Sequence, residues 1–235
     1  MSSVNEHGQP IGDPLTIDLP RPAPVPGVRQ GRFARLEPLE LRHAADLHTA
    51  FQADGAGFTY LPEGPYSDLS QTESLVARGA ASHDPQWYAI CDRQGRALGH
   101  GTYLRVNPAH GTIEVGWLHF GPAMQRTPLA TEAMYLMMVY AFDDLGYRRY
   151  EWKCDALNAP SRAAAARLGF TFEGVFRQAT TYRGRNRDTA WFSILDSEWP
   201  ARKAEFQRWL NPDNFDEIGG QRSALMHPTR GQTGF

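Results

Sequence analysis

The order of periodic segments predicts an α+β fold with a mixed, mostly antiparallel central sheet flanked by helices. Three observations carry this. Three strand-like runs follow one another through short turn-rich links, a strongly apolar helix comes directly after them, and a strand, helix, strand, strand series closes the pattern. No internal repeat is visible.

Residues 1–30 hold Pro10, Pro14, Pro20, Pro22, Pro24 and Pro26, a density that removes backbone donors and favours extended segments over helix. They form an arm expected to lie over the domain or to stay loose. From Gly31 the character changes: Arg32 to Glu37 alternate as a strand would, and Pro38 closes the run. The domain is expected over 31–210, with a tail over 211–235. His43 to Phe51 and Leu69 to Ser82 read as helices, the first from Ala44, Leu47 and Phe51, the second from Leu75 and Val76. Gly55, Gly57, Pro62, Gly64 and Pro65 mark the loop between them.

Trp87 to Cys91, Ala97 to Val106 and Thr112 to Phe120 alternate as strands, and Asp92 to Gly95 and Asn107 to Gly111 read as hairpin turns. The clearest helix follows. Thr127 can cap it, Pro128 suits its first turn, Leu129, Ala133, Leu136, Met137 and Tyr140 line one side, and Gly146 can end it. A second stripe of Met134, Met138, Ala141 and Leu145 predicts burial on more than one face. A strand near Arg148 to Asp155, a helix over Pro160 to Leu168 stopped by Gly169, and strands near Phe170 to Thr181 and Asp188 to Leu195 complete the order.

Size and charge bound the function. A chain of 235 residues suits one domain and one active site. Its 24 Lys plus Arg nearly balance 26 Asp plus Glu, so the formal charge of -2 offers no broad attraction for nucleic acid or anionic lipid. The opening MSSVNEHGQPIGDPL lacks the basic and apolar regions of a leader, and no run reaches the roughly 18 apolar residues of a membrane span. A soluble, cytoplasmic protein is expected, with no membrane partner. Cys91 and Cys154 have no ligand-type spacing, and His43 and His48 are off the i, i+4 spacing of a helical metal pair, so neither disulfide nor metal is expected.

Two stretches carry a resemblance: ATEAMYLMMVYAFDDLGYRRYEWKCDALNAPSRAAAARLGF over Ala130 to Phe170, and FEGVFRQATTYRGRNRDTAWFSILDSEW over Phe172 to Trp199. With the element order, they resemble the GNAT superfamily of N-acetyltransferases, within it the branch acting on ribosomal-protein and other N-terminal amines, from about Gly31 to Trp199. The resemblance implies acetyl-CoA as cosubstrate and an amine as acceptor. It places the pyrophosphate loop at Gln125, Arg126, Thr127, Pro128, Leu129 and Ala130, running into Thr131. Pro128 stands where that loop usually has its central glycine.

A helix N-terminus with free N–H groups and a positive dipole end suits a pyrophosphate, and Arg126 can add a charge that offsets the donor missing at Pro128. The plain alternative is an ordinary capped core helix. Asn158 and Ser161 match an N-x-x-S that the resemblance places beside the pantetheine and sulfur; Asn158 also suits a simple helix cap. The resemblance puts the acetyl carbonyl on backbone amides near Trp117 to Phe120. Glu114 is the candidate general base, because alternation puts it on the face of Gly116, Leu118 and Phe120, where apolar neighbours would raise its pKa. An ion-paired carboxylate is the alternative. Tyr182 would donate a proton or shape the pocket, or simply pack. Cys154 alternates with Tyr150 and Trp152, the pattern of a packed strand rather than a nucleophile.

An inactive or weak acyl-CoA-binding module with the same fold is the competing function, supported by Pro128. A nucleic-acid binder, suggested by Arg177, Arg183, Arg185 and Arg187 near Tyr182, is opposed by Asp188 and the negative charge. A homodimer is left open.

Overall fold

The computed structural model describes residues 3–52 and 54–226. The arm opens with a small hairpin, β1 (Ser3–Val4) and β2 (Pro10–Ile11). It then runs over the domain: Arg21 Nε donates to the Leu145 carbonyl at 2.9 Å, the Val25 N–H to Tyr140 Oη at 2.8 Å, and the Arg29 guanidinium stands 3.3 Å from the Tyr140 ring centroid. Its last residues differ from the expected boundary at 30, because Arg29–Gln30 pairs with the next strand and so forms β3 of the main sheet.

That sheet has the order β3-β4-β5-β6-β7-β8-β10-β9. β4 is Arg35–Pro38, β5 Gln86–Cys91, β6 Ala97–Asn107, β7 Thr112–Phe120, β8 Arg149–Asp155, β9 Thr171–Tyr182 and β10 Arg185–Leu195. Every neighbouring pair is antiparallel except β7 and β8. Two strands that run parallel need a crossover, and α3 (Pro128–Val139) with a π-helical turn at Tyr140–Asp144 supplies it. The β9–β10 hairpin turns at Arg183 and Gly184, both with positive φ, which lets β10 begin three residues earlier than the apolar pattern suggests.

The sheet faces are covered unequally. α1 (Ala44–Phe51) and α2 (Leu69–Ala80) bury Leu47, Phe51, Leu75 and Val76 against Trp87, Ala89 and Cys91 of β5. On the opposite face α3 and α4 (Ala159–Arg167) pack Met134, Met137, Met138 and Ala165 onto Tyr103, Ile113, Val115, Tyr150 and Trp152. The sequence reading assigned no helix after β10, yet α5 (Trp199–Leu210) forms there. Its buried Trp199, Phe206 and Trp209 follow helical spacing and stack on α3 and the π-turn, Phe142 and Trp199 lying 4.9 Å apart. The segment after it folds back through Asn214, whose side chain bonds Trp209 and Ser223. The end of the expected tail, 227–235, lies outside the described residues. Among the described residues no helix is long and apolar enough to cross a membrane.

Candidate active site

β7 and β8 pair only from Thr112↔Arg149 to Val115↔Trp152, although β7 continues to Phe120 and β8 to Asp155. Beyond Val115 the strands part, and the β7 edge facing the gap presents backbone N–H groups with no strand partner. Such groups are obligatory donors, so a ligand or solvent oxygen must take them. The gap opens towards the start of α3 on one side and the start of α4 on the other.

A β-bulge aims the side chains here. On β6 two steps separate His100 from Thr102, whereas their partners on β7, His119 and Gly116, are three apart, and the extra residue, Trp117, has φ +47°. The bulge reverses the alternation beyond Gly116. Leu118 and Phe120 pack against the α3-side core, while Trp117 joins the α1–α2 cluster and His119 stacks 4.2 Å from Phe58. The expectation that Glu114 shares a face with Leu118 and Phe120 is therefore corrected.

Glu114 is buried but not apolar in its surroundings. Its Oε1 accepts from Arg105 Nη1 and its Oε2 lies 2.7 Å from Lys153 Nζ, which also reaches Glu151 at 2.7 Å and sits 3.8 Å above the Trp191 ring. Arg149 extends the chain of charges from Glu151 to Glu173. Burial pushes the Glu151 carboxyl up, but the hydrogen bonds from Lys153 and Arg149 outweigh it and hold the group below its usual range. Arg105 and Lys153 thus flank the two Glu114 oxygens, the ion-paired surroundings that were the alternative to apolar ones.

At the start of α3, Thr127 Oγ1 accepts from the Ala130 N–H and donates to the Met124 carbonyl, and Pro128 occupies the first turn. Only one of the orphan N–H groups is lost to proline, and Leu129 keeps a donor without an intrahelical partner. Arg126 is exposed, in the left-handed conformation with φ +60°. Gln125 turns its side-chain amide away from the helix end, donating to the Phe120 carbonyl at 2.7 Å and to Asp54 Oδ2 at 3.3 Å. Thr131 is buried, its hydroxyl accepting from Arg167 Nη1 at 3.1 Å.

Arg167 is the cation the sequence analysis missed. It reads as an ordinary basic residue in the last turn of α4, but the fold brings it beside the first turn of α3. Among the described residues it makes no ion pair, and burial lowers its pKa. A guanidinium without a carboxylate partner at a helix N-terminus is what an anionic ligand would complete. Arg126, which among the described residues also makes no ion pair, adds a second positive charge at the surface.

At the other side of the gap Asn158 Oδ1 caps α4 through the Ser161 N–H at 3.1 Å, and Ser161 Oγ accepts from Trp152 Nε1 at 3.0 Å. Burial raises the pKa of Cys154, which keeps it a packed thiol. Tyr182 hydrogen-bonds Asp155 at the end of β8; burial and then that carboxylate push the phenol above its usual range, so it holds its proton. Tyr60 approaches the same spot, donating from Oη to the Leu157 carbonyl at 3.1 Å.

One trio of metal-type donors exists among the described residues: Glu37, His43 and Cys91. His43 Nδ1 accepts from the Glu40 N–H, which places its proton on Nε2, and that proton goes to Glu37 Oε2 at 3.0 Å. Arg35 and Arg42 occupy the rest of the carboxylate, and burial pushes the Cys91 thiol up to about 12. Glu37 and His43 are thus held by hydrogen bonds and ion pairs, with Cys91 packed beside them, on β4, the turn before α1 and β5 rather than on β7 or β8.

β7 and β8 thus part beside the start of α3, where Arg126 and Arg167 stand. The chain matches the acetyltransferase (GNAT) domain family over residues 34–171 and belongs to it. Putative ribosomal N-acetyltransferase YdaF of Bacillus subtilis (strain 168) is 32% identical over 179 residues, 72% of this chain and 92% of that protein. A GCN5-related N-acetyltransferase from Brucella melitensis superposes with a TM-score of 0.87 at 46% identity, covering 90% of this chain and 97% of its own. A probable acetyltransferase of the GNAT family from Chromobacterium violaceum ATCC 12472 gives 0.76 at 42% identity, covering 82% and 98%. The protein is an N-acyltransferase of this family, whose members use acetyl-CoA.

Proposed function

We propose that the enzyme transfers acetyl from acetyl-CoA to a primary amine, an N-terminal peptide amine or a small-molecule amine, by direct attack within a ternary complex. The observation that carries this is the parting of β7 from β8 beside the start of α3. Acetyl-CoA supplies the thioester. Arg126, Arg167 and the free N–H of Leu129 would hold its phosphates, with Thr127, Ala130 and Thr131 fixing the helix that presents them. Asn158 and Ser161 keep the start of α4 in place beside the gap. Gln125 contributes through the loop it braces rather than through its side chain.

The unpaired amides between Trp117 and Phe120 would stabilise negative charge as it develops on the acetyl oxygen, the role of a preorganised oxyanion site. Tyr182 would return a proton to the departing thiolate. Glu114 takes no proton in this scheme; the attacking amine would lose its proton to solvent, which would reprotonate Tyr182 after it has given its own to the thiolate. The buried thiol of Cys154 supports direct attack over an acyl-enzyme. The relative named as a putative ribosomal N-acetyltransferase supports a protein amine as acceptor. Thiol release from acetyl-CoA with a panel of N-terminal peptides, polyamines and amino sugars tests the function. CoA binding without turnover on any amine would instead support the reading that the fold is retained only to bind the cofactor, which the donor lost at Pro128 favours.

A further inference from the structure

The segment between α1 and α2 spans the gap, and its two ends are fastened to different strands. At its start, Asp54 Oδ1 accepts from the Gly57 N–H at 3.0 Å and so caps a 3₁₀ turn over Gly55–Phe58. A Cβ on Gly57 would lie 2.1 Å from Asp54 Oδ2, so only glycine permits that approach. The other carboxylate oxygen, Oδ2, accepts from Gln125 Nε2 at 3.3 Å, and Gln125 belongs to the loop that starts α3. The same oxygen lies 3.6 Å from Nε2 of His119 on β7, a buried nitrogen with no hydrogen-bond partner among the described residues. Six residues after Asp54, Tyr60 bonds the Leu157 carbonyl just past β8. Further on, the Arg183 guanidinium in the β9–β10 turn bonds the carbonyls of Pro62 and Gly64.

We propose that Asp54 is a positioning residue that couples the cofactor loop to the segment roofing the acceptor side, so that a bound cofactor organises the acceptor site. The proposal rests on the reading that the start of α3 holds acetyl-CoA. One carboxylate touches the turn of the roof through Gly57 and the cofactor loop through Gln125, which is itself bonded to the Phe120 carbonyl of β7, and it approaches the same strand at His119. Ordering Gln125 and its neighbours around the cofactor fixes Oδ2, and through Oδ1 it fixes the turn that leads to Tyr60. The orphaned His119 nitrogen stands 3.6 Å away, where a shift of a few tenths of an ångström completes a further bond.

The test is Asp54→Asn. The asparagine retains an oxygen for the Gly57 cap but turns an NH₂ towards the Gln125 amide, donor against donor, so the turn survives and the link is cut. Hydrogen exchange is followed with and without CoA, with a melting curve to establish that the variant is folded. In the wild type, CoA is expected to protect both residues 126–131 and residues 55–66. In the variant the first protection stays and the second falls at least about fivefold, the lower end of ordinary coupling between sites. Protection of 55–66 that is equal in both proteins, or absent in the wild type while 126–131 are protected, overturns the coupling. Failure of CoA to protect 126–131 in the wild type overturns the cofactor reading itself.

Discussion

Lys153 and Glu114 meet across the parallel strands β7 and β8, Nζ 2.7 Å from Oε2, one residue before the pairing ends at Val115. The ion pair thus fastens the strands where they are about to separate. Both side chains are more than nine-tenths buried, and Lys153 is shared with Glu151. Removing one partner of a buried pair leaves an uncompensated charge, which is where such pairs matter energetically.

Glu114→Gln is accordingly expected to act on stability. Lys153 retains Glu151, so the loss is about 2 kcal/mol rather than the full penalty of an isolated buried charge. Turnover at neutral pH stays within a few-fold of wild type. A general base would instead show a fall of about two to four orders of magnitude that shrinks at high pH. Denaturant melts together with a kcat profile against pH separate the two.

Glu132 in α3 accepts from the backbone N–H groups of Arg32, Phe33 and Ala34 at 2.9, 2.5 and 2.7 Å, fixing the β3–β4 turn to the helix. Glu132→Ala strips three backbone donors of their acceptor, the one at Ala34 fully buried. Stability should drop by about 3 kcal/mol or more, since each bond to a charged group contributes roughly 1.5–3. A melting temperature unchanged within 2 °C or so would mean that water replaces the carboxylate without loss.

Arg167 and Arg126 flank the same helix start, both with exposed surface, but partial burial lowers the Arg167 pKa and the Thr131 hydroxyl accepts from it. Arg167→Ala should weaken CoA binding by roughly tenfold or more, because its cation is partly desolvated and has no carboxylate to release it from. Arg126→Ala should cost only a few-fold, the usual size for an exposed charge. Calorimetry at two salt concentrations checks both the order and the stronger salt sensitivity expected at Arg126.

His100 and His119 are buried behind the bulge, and burial depresses them to about 3 and about 4. In the unfolded chain an imidazole titrates near 6.5. Between those values the unfolded chain binds protons that the native chain refuses, so stability rises with pH and is lost as pH falls from about 6.5 towards 4. Each histidine contributes about 1.4 kcal/mol per pH unit inside that window. The depressed carboxylates Glu151 and Glu173 add their loss only at lower pH. Urea melts from pH 7 to pH 4 measure the slope, and His119→Phe, which keeps an aromatic ring beside Phe51 and Phe58, should reduce it by one proton.

Local signals carried most of the architecture. Thr127 before Pro128 and Asn158 before Pro160 cap helices as their residue types require, and the three meander strands follow from alternation alone. The helical spacing of Trp199, Arg202, Phe206 and Trp209 was equally present in the sequence, at the end of the expected domain, where no helix was assigned. The bulge was not legible, since nothing in GWLHF marks Trp117 for positive φ, and that single inserted residue reverses the face of every side chain after it. Arg167, Lys153 and Asp54 were invisible for another reason. Each matters through a partner 36 to 71 residues away in sequence, or on another strand, and pairings of that kind are fixed only by the fold.

Tyr182 supplies the last expectation. It ends β9 beside the turn that holds the roof, and its phenol faces Asp155 at the end of β8, on the side of the gap where Asn158 and Ser161 begin α4. A departing thiolate is a good leaving group, so protonation assists more than it drives the reaction, and an acid there contributes less than a base acting on the amine. Burial and the neighbouring carboxylate both favour the neutral phenol, which therefore carries a proton throughout the physiological range. Tyr182→Phe retains the ring and removes only that proton. We expect kcat to fall by about two orders of magnitude, the lower end of acid–base effects, with acetyl-CoA affinity near that of the wild type. The wild type should lose turnover at high pH as the phenol ionises, and the variant should lack that descending limb. A phenylalanine variant with unchanged kcat and an unchanged profile would make Tyr182 a wall of the pocket, with the thiolate protonated by solvent.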